Sequence, residues 1–161
     1  MVRQDGSGWI PVTGGNVWYK MIGPQQPRIP LVILHGGPGA PHDYLEPLSV
    51  LADERPVVFY DQLGCGHSDK PDDPALWTVE RFVEELGDVL AALGLRDVHL
   101  LGQSWGTTLA VEYMLRTQSD RVRSLILSAP FFSATRWISD QKDHLARLPE
   151  KVQASVREAE L

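Results

Sequence analysis

The chain has 161 residues, of which 43% are hydrophobic and 22% charged, so its composition is that of a globular domain and excludes a disordered or collagen-like protein. Fifteen basic and 21 acidic residues give a net charge of -6, the wrong sign for binding nucleic acid phosphates or an anionic membrane surface. Cys65 is the single cysteine, and the sequence shows neither a signal-peptide pattern nor an apolar run of about 20 residues. We therefore expect a cytoplasmic protein without nucleic acid or membrane partners.

Short apolar runs alternate with helical patterns along the first 129 residues. A β-hairpin is predicted first, because Gly14 and Gly15 form a turn signal between residues 9–12 and 17–22. Apolar runs predict further strands at 31–34, 57–60, 98–101 and 125–127. Helical spacing predicts helices at 43–51, 79–93 and 105–116, and Thr78 is the predicted cap of the second. This alternation predicts an α/β fold with a mostly parallel sheet, helices on both faces, and ligands bound beyond the carboxyl ends of the strands.

The pattern changes to polar helices from Pro130 onward. Pro149 is predicted to begin the second of these helices, and an apolar stripe follows the helical period through Leu145, Leu148, Val152 and Val156. The sequence reaches Leu161 inside this predicted helix without a capping glycine. We therefore expect the fold to continue beyond these residues.

The sharpest motif is the G-x-S-x-G of residues 102–106, which lies between a predicted strand and a predicted helix. In a nucleophile elbow, the serine occupies a strained turn, and small residues two positions away let the strand and the helix pack closely. The motif also occurs by chance, so its position between strand and helix is what favours the functional interpretation. Ser104 is the predicted catalytic nucleophile.

A glycine-rich loop follows the first predicted parallel strand. Its residues are His35, Gly36, Gly37, Pro38 and Gly39. A loop at this place supplies one backbone N–H of the oxyanion hole in α/β-hydrolases, and the residue after the nucleophile supplies the other. The predicted donors are therefore the N–H groups of Gly37 and Trp105, with the rest of the loop lining the substrate cleft. The alternative is a strand-ending turn or an anion-binding nest.

A third glycine-containing loop, residues 61–69, follows another predicted strand. It is not a dinucleotide-binding G-x-G-x-x-G, because Asp69 stands at the position of the third glycine. We expect this loop to shape the wall of the cleft. Nothing in the sequence marks Cys65 as an activated thiolate, so we expect it to be a packed, inert thiol.

Taken together, residues 35–39, 61–68 and 102–106 resemble the proline iminopeptidase branch of the α/β-hydrolase superfamily. Residues 43–45 and 148–151 extend the resemblance over nearly the whole chain. It implies an α/β-hydrolase core in residues 1–129 and the beginning of a helical lid in residues 130–161. It also implies hydrolysis of a peptide, amino-acid amide or ester bond next to a free amino terminus, often with proline as the acyl residue. No metal and no organic cofactor is implied.

The sequence departs from the family at Ala40, Pro41 and His42, where members closest to proline specificity carry a further glycine run. Related amino-acid amidases are more similar at this place. An amidase, an esterase or a lactonase of the same fold therefore stays open, as does a non-catalytic binding protein.

A serine nucleophile needs a histidine base and an orienting carboxylate, which follow it in the order Ser, Asp, His in this superfamily. His35, His42 and His67 precede Ser104, and His144 lies on the predicted lid helix, so none matches the expected position. Losing the base costs about 10⁶ in kcat. We therefore expect a second polypeptide, produced by cleavage in the lid, to supply the remaining strands, the Asp and the His, and the 161 residues alone to be inactive. The other origin of such a chain is truncation.

Overall fold

The computed structural model describes residues 5–24 and 28–159. The chain divides into two compact units, with the boundary between Pro130 and Phe131. The first unit contains a six-stranded sheet and the helices packed on it, and the second contains two helices.

The sheet is mostly parallel, as predicted. Its strands are β1 (Gly6–Val12), β2 (Gly15–Ile22), β3 (Leu31–Leu34), β4 (Val57–Tyr60), β5 (Val98–Gln103) and β6 (Val122–Ser128), in the spatial order β1-β2-β4-β3-β5-β6. The hairpin β1–β2 joins antiparallel to β4, whereas β4, β3, β5 and β6 pair in parallel. Gly14 in the hairpin turn has a φ of 97°, a conformation that favours glycine. The predicted hairpin and all four predicted parallel strands are confirmed.

The helices of the first unit are α1 (Val79–Ala92) and α2 (Trp105–Thr117), and both predicted helices are confirmed to within one residue at each end. Thr78 caps α1 by accepting a hydrogen bond from the N–H of Arg81 at 3.3 Å, as the sequence predicts. The predicted α-helix at residues 43–51 is instead a 3₁₀ helix, His42–Asp53. Pro47 lies inside it, and proline both lacks an N–H and clashes with the preceding turn of an α-helix.

The core has two layers because the residues of the central strands alternate between the faces of the sheet. Val32 and Leu34 of β3 belong to a cluster with residues of α1 and α2, and Leu31 and Ile33 belong to a cluster with the 3₁₀ helix His42–Asp53. All four residues of β3 are buried, as expected for a parallel strand covered on both faces.

The second unit consists of α3 (Ala134–Ala146) and α4 (Glu150–Ala159). Ser133 caps α3 by accepting a hydrogen bond from the N–H of Arg136 at 3.2 Å. Pro149 directly precedes α4, as predicted, whereas the predicted continuation of this helix through Leu161 lies outside the described residues. In the described ranges, none of the helices has the length and apolar character needed to span a bilayer.

Candidate active site

Ser104 lies in a strained turn between the end of β5 and the beginning of α2. Its φ of 51° and ψ of -118° lie in a region that residues other than glycine rarely adopt. The N–H of Ser104 donates to the carbonyl of Ser128 at 3.0 Å, and its carbonyl accepts hydrogen bonds from the N–H and the hydroxyl of Thr107 at 2.9 and 2.6 Å. The neighbouring strand and the first turn of α2 thus hold the serine at the carboxyl edge of the sheet.

The two glycines of the motif allow the close packing that this turn requires. A Cβ atom on Gly102 would overlap the carbonyl oxygen of Gly106, and a Cβ on Gly106 would overlap the carbonyl oxygen of Leu34. The backbone of the strand-to-helix turn therefore packs directly against the backbone of β3, with no room for a side chain between them. The spacing of the motif has a packing reason here, independent of any chemistry.

The glycine loop after β3 packs directly against the serine. A Cβ built on Gly36 would lie 3.2 Å from the Cβ of Ser104 and 2.6 Å from Oε1 of Gln103, so a side chain does not fit there. Gly37, the predicted oxyanion donor, has a φ of 115°. Trp105, the other predicted donor, is the first residue of α2, and the N–H groups of a first helical turn have no intrahelical partner.

Two hydrogen bonds orient the backbone of Gly36. Its N–H donates to the hydroxyl of Tyr44 at 2.7 Å, and this hydroxyl donates in turn to Oε1 of Gln103 at 2.6 Å. The carbonyl of Gly36 accepts a hydrogen bond from Nδ1 of His35 at 2.9 Å. Nδ1 of His35 carries the proton because Nε2 accepts a hydrogen bond from the N–H of Gln62 at 2.9 Å. Burial lowers the pKa of His35, which favours the neutral ring that this arrangement needs.

The sequence analysis placed Gln62 in the predicted cleft-wall loop without assigning it a contact to the glycine loop, and it assigned no role in the site to Tyr44. Gln62 follows directly on β4, and the carboxyl ends of parallel strands share one edge of the sheet. Its place at that edge is a signal that could have identified it. Tyr44 reaches the loop from the 3₁₀ helix His42–Asp53, and no local sequence pattern marks such a contact.

The predicted cleft-wall loop is anchored by Asp61. One carboxylate oxygen of this buried residue accepts from the N–H and Nδ1 of His42 at 2.9 and 2.8 Å, and the other accepts from the N–H and Nδ1 of His67 at 2.9 and 3.1 Å. Burial acts to raise the pKa of Asp61, but the hydrogen bonds from His42 and His67 outweigh it, and the pKa lies well below its ordinary value. The indole of Trp18 lies against both imidazoles, with ring centroids 4.8 Å apart in each pair.

Two groups of possible metal ligands occur among the described residues: His42, Asp61 and His67, and His35, Asp61 and Cys65. In the first, each imidazole Nδ1 already hydrogen-bonds to a carboxylate oxygen of Asp61. In the second, burial raises the pKa of Cys65 to about 12, so its sulfur is a thiol rather than the thiolate that binds metals. The Asp61 oxygens and the Nδ1 atoms of His42 and His67 are thus engaged in hydrogen bonds that hold the loop after β4.

An apolar cavity of about 470 Å³ lies beside the predicted oxyanion donors. It is bounded by the glycine loop, the loop after β4 and the beginnings of α1 and α2. Its lining includes Pro38, Gly39, Leu63, Trp77, Phe82 and Trp105. This composition suits an apolar group of a small ligand.

Comparisons with known proteins identify the family. A family model described as the alpha/beta hydrolase fold matches residues 29–160. A proline iminopeptidase from Heyndrickxia coagulans is 48% identical over 153 residues, which are 95% of this chain and 53% of that protein. For a proline iminopeptidase from Lactobacillus acidophilus, the identity is 45% over 96% of this chain and 54% of that protein.

The structural comparison gives the same result. The crystal structure of a proline iminopeptidase from Mycobacterium smegmatis matches with a TM-score of 0.86 at 38% identity, covering 96% of this chain and 54% of that chain. The chain spans about half the length of the curated relatives it matches. The family match covers most of the sequence, the strand–turn–helix around Ser104 agrees with it, and the chain therefore belongs to the α/β hydrolase fold family.

Proposed function

We propose that this chain carries the nucleophile and the oxyanion donors of a serine hydrolase that cleaves an amide or ester bond next to a free amino terminus, as a proline iminopeptidase does. The observation that carries the proposal is the strained backbone of Ser104, with the glycine loop packed on it. The named activity of the relatives from Heyndrickxia coagulans and Lactobacillus acidophilus supports the substrate class.

The reaction proceeds through an acyl-enzyme. Oγ of Ser104 attacks the substrate carbonyl while a histidine base takes its proton, and the N–H groups of Gly37 and Trp105 donate to the oxyanion that forms. The histidine then protonates the leaving amine or alcohol as the C–N or C–O bond breaks. Water, activated by the same histidine, hydrolyses the acyl-serine and releases the free acid.

The base and its orienting aspartate come from outside these 161 residues in this proposal. The chain spans about half the length of its curated relatives, which supports a second segment or polypeptide carrying the rest of the fold. In this proposal, residues 130–161 are the beginning of a helical lid. Without the base, kcat falls by about 10⁶, so the 161 residues alone are inactive.

The substrate residue is held in part by the apolar cavity beside Trp105, which suits proline or another apolar acyl residue better than a charged one. Turnover of proline, alanine and phenylalanine amides, compared with the matching esters and with lactones, separates an iminopeptidase from an amidase, an esterase or a lactonase. We expect amides and esters of apolar amino acids with a free amino group to be the preferred substrates.

The experiment that tests the proposal is labelling with a serine-directed fluorophosphonate, followed by denaturing intact-mass spectrometry of every polypeptide in the sample. We expect one adduct on the chain that contains Ser104, and no adduct in Ser104→Ala. Ser155→Ala, on the exposed face of α4, is the matched control and should label normally. Absence of an adduct on a protein that contains the whole fold, or an adduct that persists in Ser104→Ala, would refute the serine-hydrolase assignment and favour a binding protein.

A further inference from the structure

The side chain of Gln62 connects the two segments that carry the proposed oxyanion donors. Its Oε1 accepts a hydrogen bond from the indole Nε1 of Trp105 at 2.9 Å, and its Nε2 donates to the carbonyl of His35 at 3.0 Å. The backbone N–H of Gln62 also donates to Nε2 of His35. Gln62 is 1% exposed, so water does not compete for these contacts.

On the side of the glycine loop, the side-chain Nε2 of Gln62 holds the carbonyl of His35, and the backbone N–H of Gln62 orients the ring of His35. Because the backbone N–H of Gln62 donates to Nε2 of His35, the ring proton lies on Nδ1 and donates to the carbonyl of Gly36 at 2.9 Å. The peptide between Gly36 and Gly37 is trans and planar, so its C=O and N–H point in opposite directions. Holding the Gly36 carbonyl against His35 therefore directs the N–H of Gly37 away from that ring.

On the side of the nucleophile, the side-chain amide of Gln62 fixes the beginning of α2. The indole of Trp105 is held by Oε1 of Gln62 and by an edge-to-face contact with Phe82, with ring centroids 5.5 Å apart. Trp105 is 9% exposed and is the first residue of α2, so the anchored indole and the proposed donor N–H are on the same residue. An anchored indole leaves the backbone of this residue little freedom to rotate.

We propose that Gln62 is a positioning residue of the oxyanion hole: its buried side-chain amide joins the carbonyl of His35 to the indole of Trp105 and so sets the separation of the segments that carry the Gly37 and Trp105 N–H groups. The inference rests on the proposed function. It is specific because an oxyanion donor acts only at the correct distance from the developing charge, and a misplacement of about 1 Å costs about 10² in rate. Gln62 itself does not touch the substrate.

The test is Gln62→Met in the complete enzyme, that is, this chain together with the segment that supplies the base. Methionine has a similar shape, makes neither of the two side-chain hydrogen bonds, and keeps the backbone N–H that donates to Nε2 of His35. We expect kcat for an amino-acid amide to fall about 10²-fold with KM within about twofold, because the lost interaction acts in the transition state. Affinity for an amino-acid boronate, which forms a tetrahedral adduct with the serine, should fall by a similar factor, whereas affinity for the free amino-acid product should not change.

Two further variants separate positioning from general damage. Trp105→Phe removes the indole donor but keeps the backbone N–H, and we expect a smaller fall in kcat that does not add to that of Gln62→Met in the double variant. Val98→Ala removes buried volume at the opposite end of β5 from Ser104, and should lower the melting temperature without changing kcat.

The outcomes distinguish this inference from the proposed function. An unchanged kcat in Gln62→Met, a change in KM alone, or a fall that Val98→Ala reproduces at equal loss of stability would overturn the role of Gln62 while leaving the serine hydrolase intact. If the complete unsubstituted protein neither turns over amino-acid amides or esters nor reacts with a fluorophosphonate, the proposed function is wrong, and the role of Gln62 is wrong with it.

Discussion

Strands β3 and β6 have similar apolar sequences and very different surroundings. All four residues of β3 are buried, between β4 and β5 in the sheet and between helical layers on its faces. In β6, Ile126 and Leu127 are 45% and 37% exposed, and among the described strands only β5 pairs with it. An apolar run therefore predicts a strand, but its burial depends on neighbours that the run does not encode.

The same contrast extends to the loops at the strand ends. The loop after β3 is held by Tyr44, His35 and Gln62 through bonds of 2.6 to 3.0 Å. An open apolar edge such as β6 is a surface that parallel sheets normally cover with a further strand or helix. This supports the proposal that a further segment completes the fold on the β6 side.

The largest effect is expected for shortening buried side chains. Comparing such variants on β3 and on β6 tests directly whether the two strands differ in burial. Ile33→Ala on β3 should lower the free energy of unfolding of the complete enzyme by about 2–5 kcal/mol, because it removes buried methyl groups from a covered strand. If a further segment covers β6, Ile126→Ala should have a cost in the same range. Urea unfolding followed by circular dichroism measures both.

An exposed β6 would give a different result for the second variant. Ile126→Ala would then change the free energy of unfolding by about 0.5 kcal/mol or less, as surface substitutions do. That outcome, with Ile33→Ala still strongly destabilising, would contradict the proposed cover of β6 by the rest of the fold.

Features fixed by local spacing were predicted from the sequence. The strand, the turn and the helix around Ser104 follow from the apolar run, the two glycines of the motif and the helical period, and the structure has all three in place. The cap at Thr78 is equally local. The catalytic roles assigned to Ser104, Gly37 and Trp105 stay predictions.

Features that depend on distant contacts were not predicted. Gln62 lies 43 residues from the indole it binds, and Tyr44 lies 59 residues from Gln103. Their hydrogen bonds exist only because β4, β3 and β5 are neighbours in the sheet, an order that differs from the order along the chain. The change from α-helix to 3₁₀ helix around Pro47 was within reach of sequence reasoning, since proline disfavours an α-helical interior.

A smaller effect, with a characteristic pH dependence, is expected at the end of β4. Asp61→Asn replaces a buried carboxylate that accepts four hydrogen bonds. We expect the free energy of unfolding at pH 7 to fall by about 2–4 kcal/mol, because hydrogen bonds to charged groups contribute about 1.5–3 kcal/mol each. The pKa of Asp61 is lowered in the folded state, so its contribution is present above the ordinary value of 3.8 and is lost as the pH falls below it. The difference in the free energy of unfolding between wild type and variant should therefore decrease as the pH falls from about 5 to about 2.

Urea unfolding at several pH values provides the measurement, with the exposed Asp72→Asn as the control for a general change in charge. A difference that stays constant with pH would show that the loss comes from packing rather than from the charged carboxylate.

The smallest effect is expected for Tyr44→Phe, which tests how firmly the loop after β3 is held. The hydroxyl accepts from the N–H of Gly36 and donates to Gln103, but Tyr44 is 47% exposed, so water can replace part of what is lost. We expect a loss of about 0.5–1.5 kcal/mol in the free energy of unfolding and faster hydrogen exchange of the Gly36 amide, measured by NMR. Tyr19→Phe on β2 is the matched control. If the Gly36 amide exchanges at the wild-type rate in Tyr44→Phe, the loop is held from the buried side alone, and the hydrogen bonds of His35 and Gln62 are sufficient to fix it.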